Sequence, residues 1–236
     1  MDDRSWLMGL RGRFVVVDGP DGSGKTTQLG RLVGACREAG VSVTEVRDPG
    51  GTEVGEEIRR VLLESRDEPV GALTEMLLFM ASRAQLVERR IRPALASGDL
   101  VISDRFVSST LAYQGTAGGV GPGAIREVAR IACAGVSPDL VVIFDVDEAA
   151  AARRLSPLLD RMEAKGAAFH RRVREGYLAQ AREDPGGHLV VDASRGPDEV
   201  WASLMTGLEA WVLRAGGKEG ATPGSNLGSN PGGGGS

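Results

Sequence analysis

Apolar residues along this chain fall into two alternating rhythms. Short runs rich in apolar residues at 14–17, 41–46, 100–103, 140–145 and 188–191 read as buried parallel strands. Between them run longer segments with apolar residues at helical spacing. One carries Leu29, Leu32, Val33 and Cys36, and another Val200, Leu204, Leu208 and Trp211, the second being a closing amphipathic helix. Strands that alternate with longer helices predict an α/β fold, a three-layer sandwich around a parallel sheet of about five strands. Ligands of such sheets sit beyond the carboxyl ends of the strands, which singles out residues 18–27, 47–52, 104–105 and 145–147.

A length of 236 residues suits one such domain, placed here at 13–214. Residues 1–12 precede the first strand and read as a loose N-terminal arm, in which Met8 is an alternative start. Residues 215–236 are rich in Gly, Ser and Asn, have almost no side chains to bury and are expected to be disordered. A net charge of −4 argues against nonspecific binding to nucleic acid or a membrane surface. With no long apolar stretch and no signal peptide at the start, the expected location is the cytoplasm. Cys36 and Cys133 lie in apolar helical patterns and read as buried thiols without a function. Trp201 and Trp211 read as packing residues, and His170 as a helix-surface residue.

The first strand leads into Gly19, Pro20, Asp21, Gly22, Ser23, Gly24, Lys25, Thr26 and Thr27, the G-x-x-x-x-G-K-[ST] spacing of a phosphate-binding loop between a strand and a helix. Its glycines let backbone N–H groups turn inward around phosphate oxygens, and the following helix points the positive end of its dipole at the same anion. In that arrangement Lys25 reaches the β and γ phosphates of a nucleotide and Thr26 holds Mg²⁺. Lys25 is one of only three lysines, beside Lys165 and Lys218, in a chain with 28 Lys+Arg, so lysine is kept where this loop needs it.

The loop alone does not separate a switch from a motor or a kinase. Arg47 follows the second strand and Arg105 the third, and both arginines match a second phosphorylated substrate. Arg47 also fits an exposed turn, and Arg105 an ion pair with Asp104. Phe79 and Arg83 lie four apart and share a helix face, although Phe79 also fits a core position among Met76, Leu77 and Met80.

Taken together, these motifs resemble the thymidylate kinases, which transfer the γ-phosphoryl of ATP to dTMP. The likeness spans about residues 13–213. It covers the phosphate loop with Asp21, the stretch Arg47-Asp48-Pro49-Gly50-Gly51-Thr52, the helix from Leu78 to Arg83, and the stretch from Asp104 and Arg105 through Thr110, Tyr113 and Gln114. It continues through Pro138-Asp139-Leu140, the strand ending at Asp145 with Asp147, and Leu159-Asp160-Arg161-Met162-Glu163. The resemblance implies a P-loop nucleoside monophosphate kinase fold with ATP and Mg²⁺ as cofactors and dTMP as substrate, assembled as a homodimer. It places Phe79 against the thymine, Arg83 at the base carbonyl, Arg105 on the dTMP phosphate, Thr110 and Gln114 on the base, and Tyr113 beside the sugar. Asp21 falls near the 3′-hydroxyl and the metal, Asp104 and Asp18 belong to the metal's surroundings, and Asp145 is structural.

Within the family, this loop resembles the type that has no basic residue between Asp21 and Lys25 and keeps its arginines in a lid. The lid spans about 150–162, with Arg153 or Arg154 expected to meet the transferred phosphoryl and Arg161 to assist. Where such lids carry another arginine, this chain has Ser156 or a near neighbour. Phosphoryl transfer needs alignment and charge neutralisation more than a base. Three other readings remain open. Asp48-Pro49-Gly50-Gly51 also fits the D-x-x-G of a GTPase-like switch, although the only asparagines are Asn226 and Asn230, which leaves no N-K-x-D. A different nucleoside monophosphate or deoxynucleoside kinase is the second, and a non-catalytic nucleotide-binding protein the third.

Overall fold

The computed structural model describes residues 4–64, 68–154, 162 and 165–216. Most of the expected tail and the middle of the expected lid, Ser156 and Arg161 included, lie outside them. Five parallel strands form one sheet: β1 (Phe14–Asp18), β2 (Val43–Arg47), β3 (Leu100–Asp104), β4 (Leu140–Asp145) and β5 (His188–Asp192), in the order β2-β3-β1-β4-β5. Register brings their carboxyl ends level. Val17 and Arg47 flank Asp104, and Asp145 pairs with Asp192. Because β1 pairs directly with β3, the loops that follow these two strands are neighbours.

Alternation along the strands fills two cores, since successive side chains point to opposite faces. Val15 and Val17 join Leu32, Val33 and Cys36 of α1 (Lys25–Glu38) and Leu204, Leu208 and Trp211 of α9 (Pro197–Gly216) on one face. Phe14 and Val16 pack on the other with Phe106, Tyr113 and Tyr177. The expected three layers are present, and both tryptophans of α9 pack on the first core. Cys36 and Cys133 are buried.

Two boundaries differ from the sequence reading. Val41 precedes β2 because Gly40, at a φ of +81°, turns the chain out of α1 and the Val41 N–H donates to the Cys36 carbonyl (2.9 Å), leaving no place on the ladder. The N-terminal arm is not loose where it is described. Ser5–Leu10 form a 3₁₀ turn in which Leu7 and Leu10 are completely buried, and Trp6 packs on the same core. Three apolar side chains within two turns suffice to dock it against α9.

The remaining helices are α2 (Glu53–Leu63), α3 (Ala72–Leu86), α4 (Arg92–Ala96), α5 (Val107–Thr110), α6 (Pro122–Cys133), α7 (Glu148–Ala152) and α8 (Ala167–Glu183), of which α2 and α3 line the cavity. Helix α5 continues as a π-helical segment, Leu111–Ala117, that carries Tyr113 and Gln114. Such widened turns recur at functional sites. Helix α8 lies close against this one, because a Cβ on Gly176 would come within 3.0 Å of the Ala112 Cα.

Candidate active site

A cavity of about 650 Å³ opens at the carboxyl edge of the sheet, with the phosphate loop as its floor. Gly19, Gly22 and Gly24 all have positive φ, conformations that glycine alone adopts without strain. At Gly22 a Cβ would also stand 2.4 Å from the Ala151 carbonyl of α7, so this glycine fixes how near the loop approaches the start of the lid. Lys25 folds back over its own loop and donates from Nζ to the carbonyls of Gly19 (2.9 Å) and Pro20 (2.8 Å). Burial, together with the neighbouring Arg105, brings its pKa down to about 8.

Arg105 stands beside Lys25, its guanidinium 3.5 Å from the same Gly19 carbonyl. It has a φ of +69°, which aims its side chain from the end of β3 back over β1. Its guanidinium pairs with Asp21 and donates to Ser109 Oγ (3.1 Å) and Tyr177 OH (3.2 Å), rather than pairing with Asp104. The Tyr113 hydroxyl donates to the other oxygen of Asp21 (2.5 Å). Burial pushes the Asp21 carboxyl up, but Arg105, Lys25 and the Tyr113 hydrogen bond together hold it below the usual carboxylate range. Asp18, expected near a metal, is instead engaged at both oxygens. It accepts from Ser108 (2.6 Å), Ser109 (2.8 Å), Tyr177 (2.5 Å) and the Gly19 N–H (2.9 Å). Its place is structural: it anchors the hydroxyls that hold Arg105.

The wall opposite the loop comes from α2, α3 and the π-helical segment. Phe79 is half-buried and lines the cavity with Tyr113 and Gln114, while Met76 and Met80 take the core positions. Arg83 and Thr110 do not line it. Arg83 is almost wholly buried and donates to Asp48 (2.5 Å), to the Phe106 carbonyl (3.0 Å), to Thr110 Oγ1 (3.1 Å) and to the Met80 sulfur (3.0 Å). Of the five N–H groups of a guanidinium, one on Nη1 has no partner among the described residues. Asp48, the acid of the D-x-x-G pattern, is thereby buried beneath the wall. Arg47 also points elsewhere. It pairs with Glu56 (2.9 Å) and is half exposed, bracing the 47–52 loop against α2. The cation that this region gives the cavity is Arg59, which donates to the Pro49 carbonyl (3.0 Å). Sequence reasoning passed over Arg59, whose only signal is its position four before Leu63, which also lines the cavity.

At the far end, Arg154 donates to the carbonyls of Ala193 (2.8 Å) and Ser194 (3.4 Å) and lines the cavity with Arg195 and Pro197. Arg153 is exposed and does not line it. The 193–197 loop follows β5, so the carboxyl-edge rule applied to the fifth strand points to it. Asp145 forms a two-pronged ion pair with Arg174 (2.6 and 2.9 Å) and is structural, as expected. His170 is half-buried.

A divalent cation fits beside Lys25. Asp104 lines the cavity and has one buried carboxylate oxygen with no hydrogen-bond partner among the described residues, and Thr26 borders the same space. One carboxylate and one hydroxyl are few ligands, which suits Mg²⁺, an ion that keeps waters and takes phosphate oxygens.

Known proteins resemble this chain over most of its length. A family model described as thymidylate kinase matches residues 17–204. The thymidylate kinase of Deinococcus radiodurans is 44% identical over 202 residues, covering 82% of this chain and 97% of the relative. That of Thermomicrobium roseum is 46% identical over 198 residues, with 81% and 93% covered. That of Desulforudis audaxviator is 44% identical over 208 residues, with 85% and 93% covered. Since the match runs from β1 into α9 and takes in the phosphate loop, the Arg105 cluster and the Phe79 wall together, the chain belongs to the thymidylate kinase family.

Proposed function

We propose that this chain transfers the γ-phosphoryl of ATP to dTMP, giving dTDP and ADP on the way to dTTP. The observation that carries this reading is the placement of Lys25 and Arg105 side by side on one cavity floor, both within reach of the Gly19 carbonyl, with Asp21 paired to Arg105. Such a floor suits two phosphorylated ligands that meet head to head. The phosphate loop and Lys25 take the donor's β and γ phosphates, and Arg105 takes the acceptor phosphate. Arg59 adds positive charge on the acceptor side. Phe79 gives the base a flat wall, and Arg83, buried behind that wall and held by Thr110 and Asp48, stiffens it. Arg154, tethered beside the 193–197 loop, serves the donor end.

The acceptor phosphate is already an anion at neutral pH, so the residues align and neutralise, and none needs to abstract a proton. Thr26 and Asp104 would hold Mg²⁺, which when bound withdraws charge from the phosphates. To receive the donor, Lys25 must exchange the Gly19 and Pro20 carbonyls for phosphate oxygens. Asp21 keeps Arg105 and Tyr113 in register until the acceptor arrives.

Two half-exposed leucines four apart on α3, Leu73 and Leu77, with exposed Ile131 on the neighbouring α6, support a homodimer formed through this side. Among the described residues no helix is long and apolar enough to cross a membrane, and we assign the enzyme to the cytoplasm, where ATP is abundant. Turnover of dTMP with no turnover of thymidine tests the proposal, since Arg105 has a phosphate to grip only in the first.

A further inference from the structure

Glu75 lies on α3 one turn before Phe79, and its carboxylate is buried. It accepts from Lys165 Nζ at both oxygens (2.9 and 3.1 Å) and from the Gln114 side-chain amide, Nε2, at 3.0 Å. Lys165 also rests over the Phe169 ring, 4.9 Å from its centre, so its position is fixed from two sides. A buried carboxylate needs such a counter-charge. An ionised carboxylate accepts hydrogen bonds and never donates, so only the NH₂ end of an amide can face it. The Gln114 amide is therefore turned one way. Its nitrogen is committed to Glu75, and its carbonyl is the end left for the cavity that Gln114 lines beside Phe79.

We propose that Glu75 and Lys165 are positioning residues that set base specificity by orienting the Gln114 amide. With its carbonyl toward the base, Gln114 accepts from a ring N–H, which thymine and uracil carry at position 3. Cytosine has a bare acceptor there, and two acceptors face to face leave both unsatisfied in a buried site. The inference rests on the reading that the Phe79 side of the cavity holds the acceptor base. Replacing Glu75 by glutamine puts an amide opposite an amide, and either orientation of Gln114 then finds a partner.

The test is steady-state turnover of dTMP, dUMP and dCMP by the full chain, its Glu75→Gln variant and its Lys165→Met variant. In Glu75→Gln the dTMP-to-dCMP ratio of kcat/KM falls about tenfold or more, mainly through KM, while the dTMP-to-dUMP ratio holds because both bases carry the N–H. Lys165→Met shifts the first ratio in the same direction by less, and it decides the matter should Glu75→Gln fail to fold. Unchanged ratios in the variants, or equal losses on all three nucleotides, would overturn the proposal while leaving the kinase reading intact. A wild-type chain that does not turn over dTMP would overturn the kinase reading, and this proposal with it.

Discussion

Lys25 donates to the carbonyls of its own loop and, by the proposed function, gives them up for the phosphates of a nucleotide, an exchange readable by pH. Its pKa of about 8 in the free protein lies below the usual 10.5. Above pH 8 the free enzyme sheds that proton, so kcat/KM for ATP declines there. Bound phosphate restores the charge, and kcat at saturating ATP holds to higher pH. The linkage sign is the opposite for stability. Between about pH 8 and 10.5 the unfolded chain binds a proton that the folded chain has released, so Lys25 makes the unliganded protein more stable as pH rises. Parallel pH–rate and pH–melting profiles check both directions. Arg154→Ala should lower turnover of dTMP about tenfold or more, and a change within about twofold would remove Arg154 from the mechanism. The residues legible in the sequence were those in contiguous motifs, namely Lys25, Asp21, Arg105, Tyr113, Gln114 and Phe79. Arg47 and Arg83 were legible as cations but not as to their partners, because Glu56 and Asp48 compete for them from other elements. Arg59, Arg195 and Tyr177 reach the site from α2, the loop after β5 and α8, and nothing local marks them.

Hydrophobic rhythm located every strand to within two residues: β1, β3 and β4 are buried along almost their whole length and have no freedom to be polar, whereas the outer strands β2 and β5 are only partly buried and admit Thr44, Glu45 and His188. The same reasoning missed the N-terminal turn, where Trp6, Leu7 and Leu10 are too few to announce an element until α9 offers them a surface. Leu10 is completely buried against that surface, and Leu10→Ala should destabilise the protein by about 2–5 kcal/mol with little effect on KM for either substrate. Denaturant unfolding alongside kinetics measures both. The π-helical segment was also illegible. Its residues read as ordinary helix, and the widened turn that carries Tyr113 and Gln114 depends on packing against α8 through Gly176.

For the whole molecule, the order β2-β3-β1-β4-β5 places the phosphate loop beside the Arg105 turn and gathers the loops after β1, β3 and β5 into one cavity, which the proposed function divides between donor and acceptor. Leu77→Glu on the exposed side of α3 should shift the enzyme from dimer toward monomer in sedimentation, and a protein that is monomeric before the substitution would contradict the dimer. The account as a whole stands on the acceptor. ADP release with ATP and Mg²⁺ measured against dTMP, dUMP, dCMP, dGMP and thymidine tests it most directly. The fastest turnover belongs to dTMP, with none for thymidine. No turnover of dTMP, or faster turnover of another monophosphate, would contradict it.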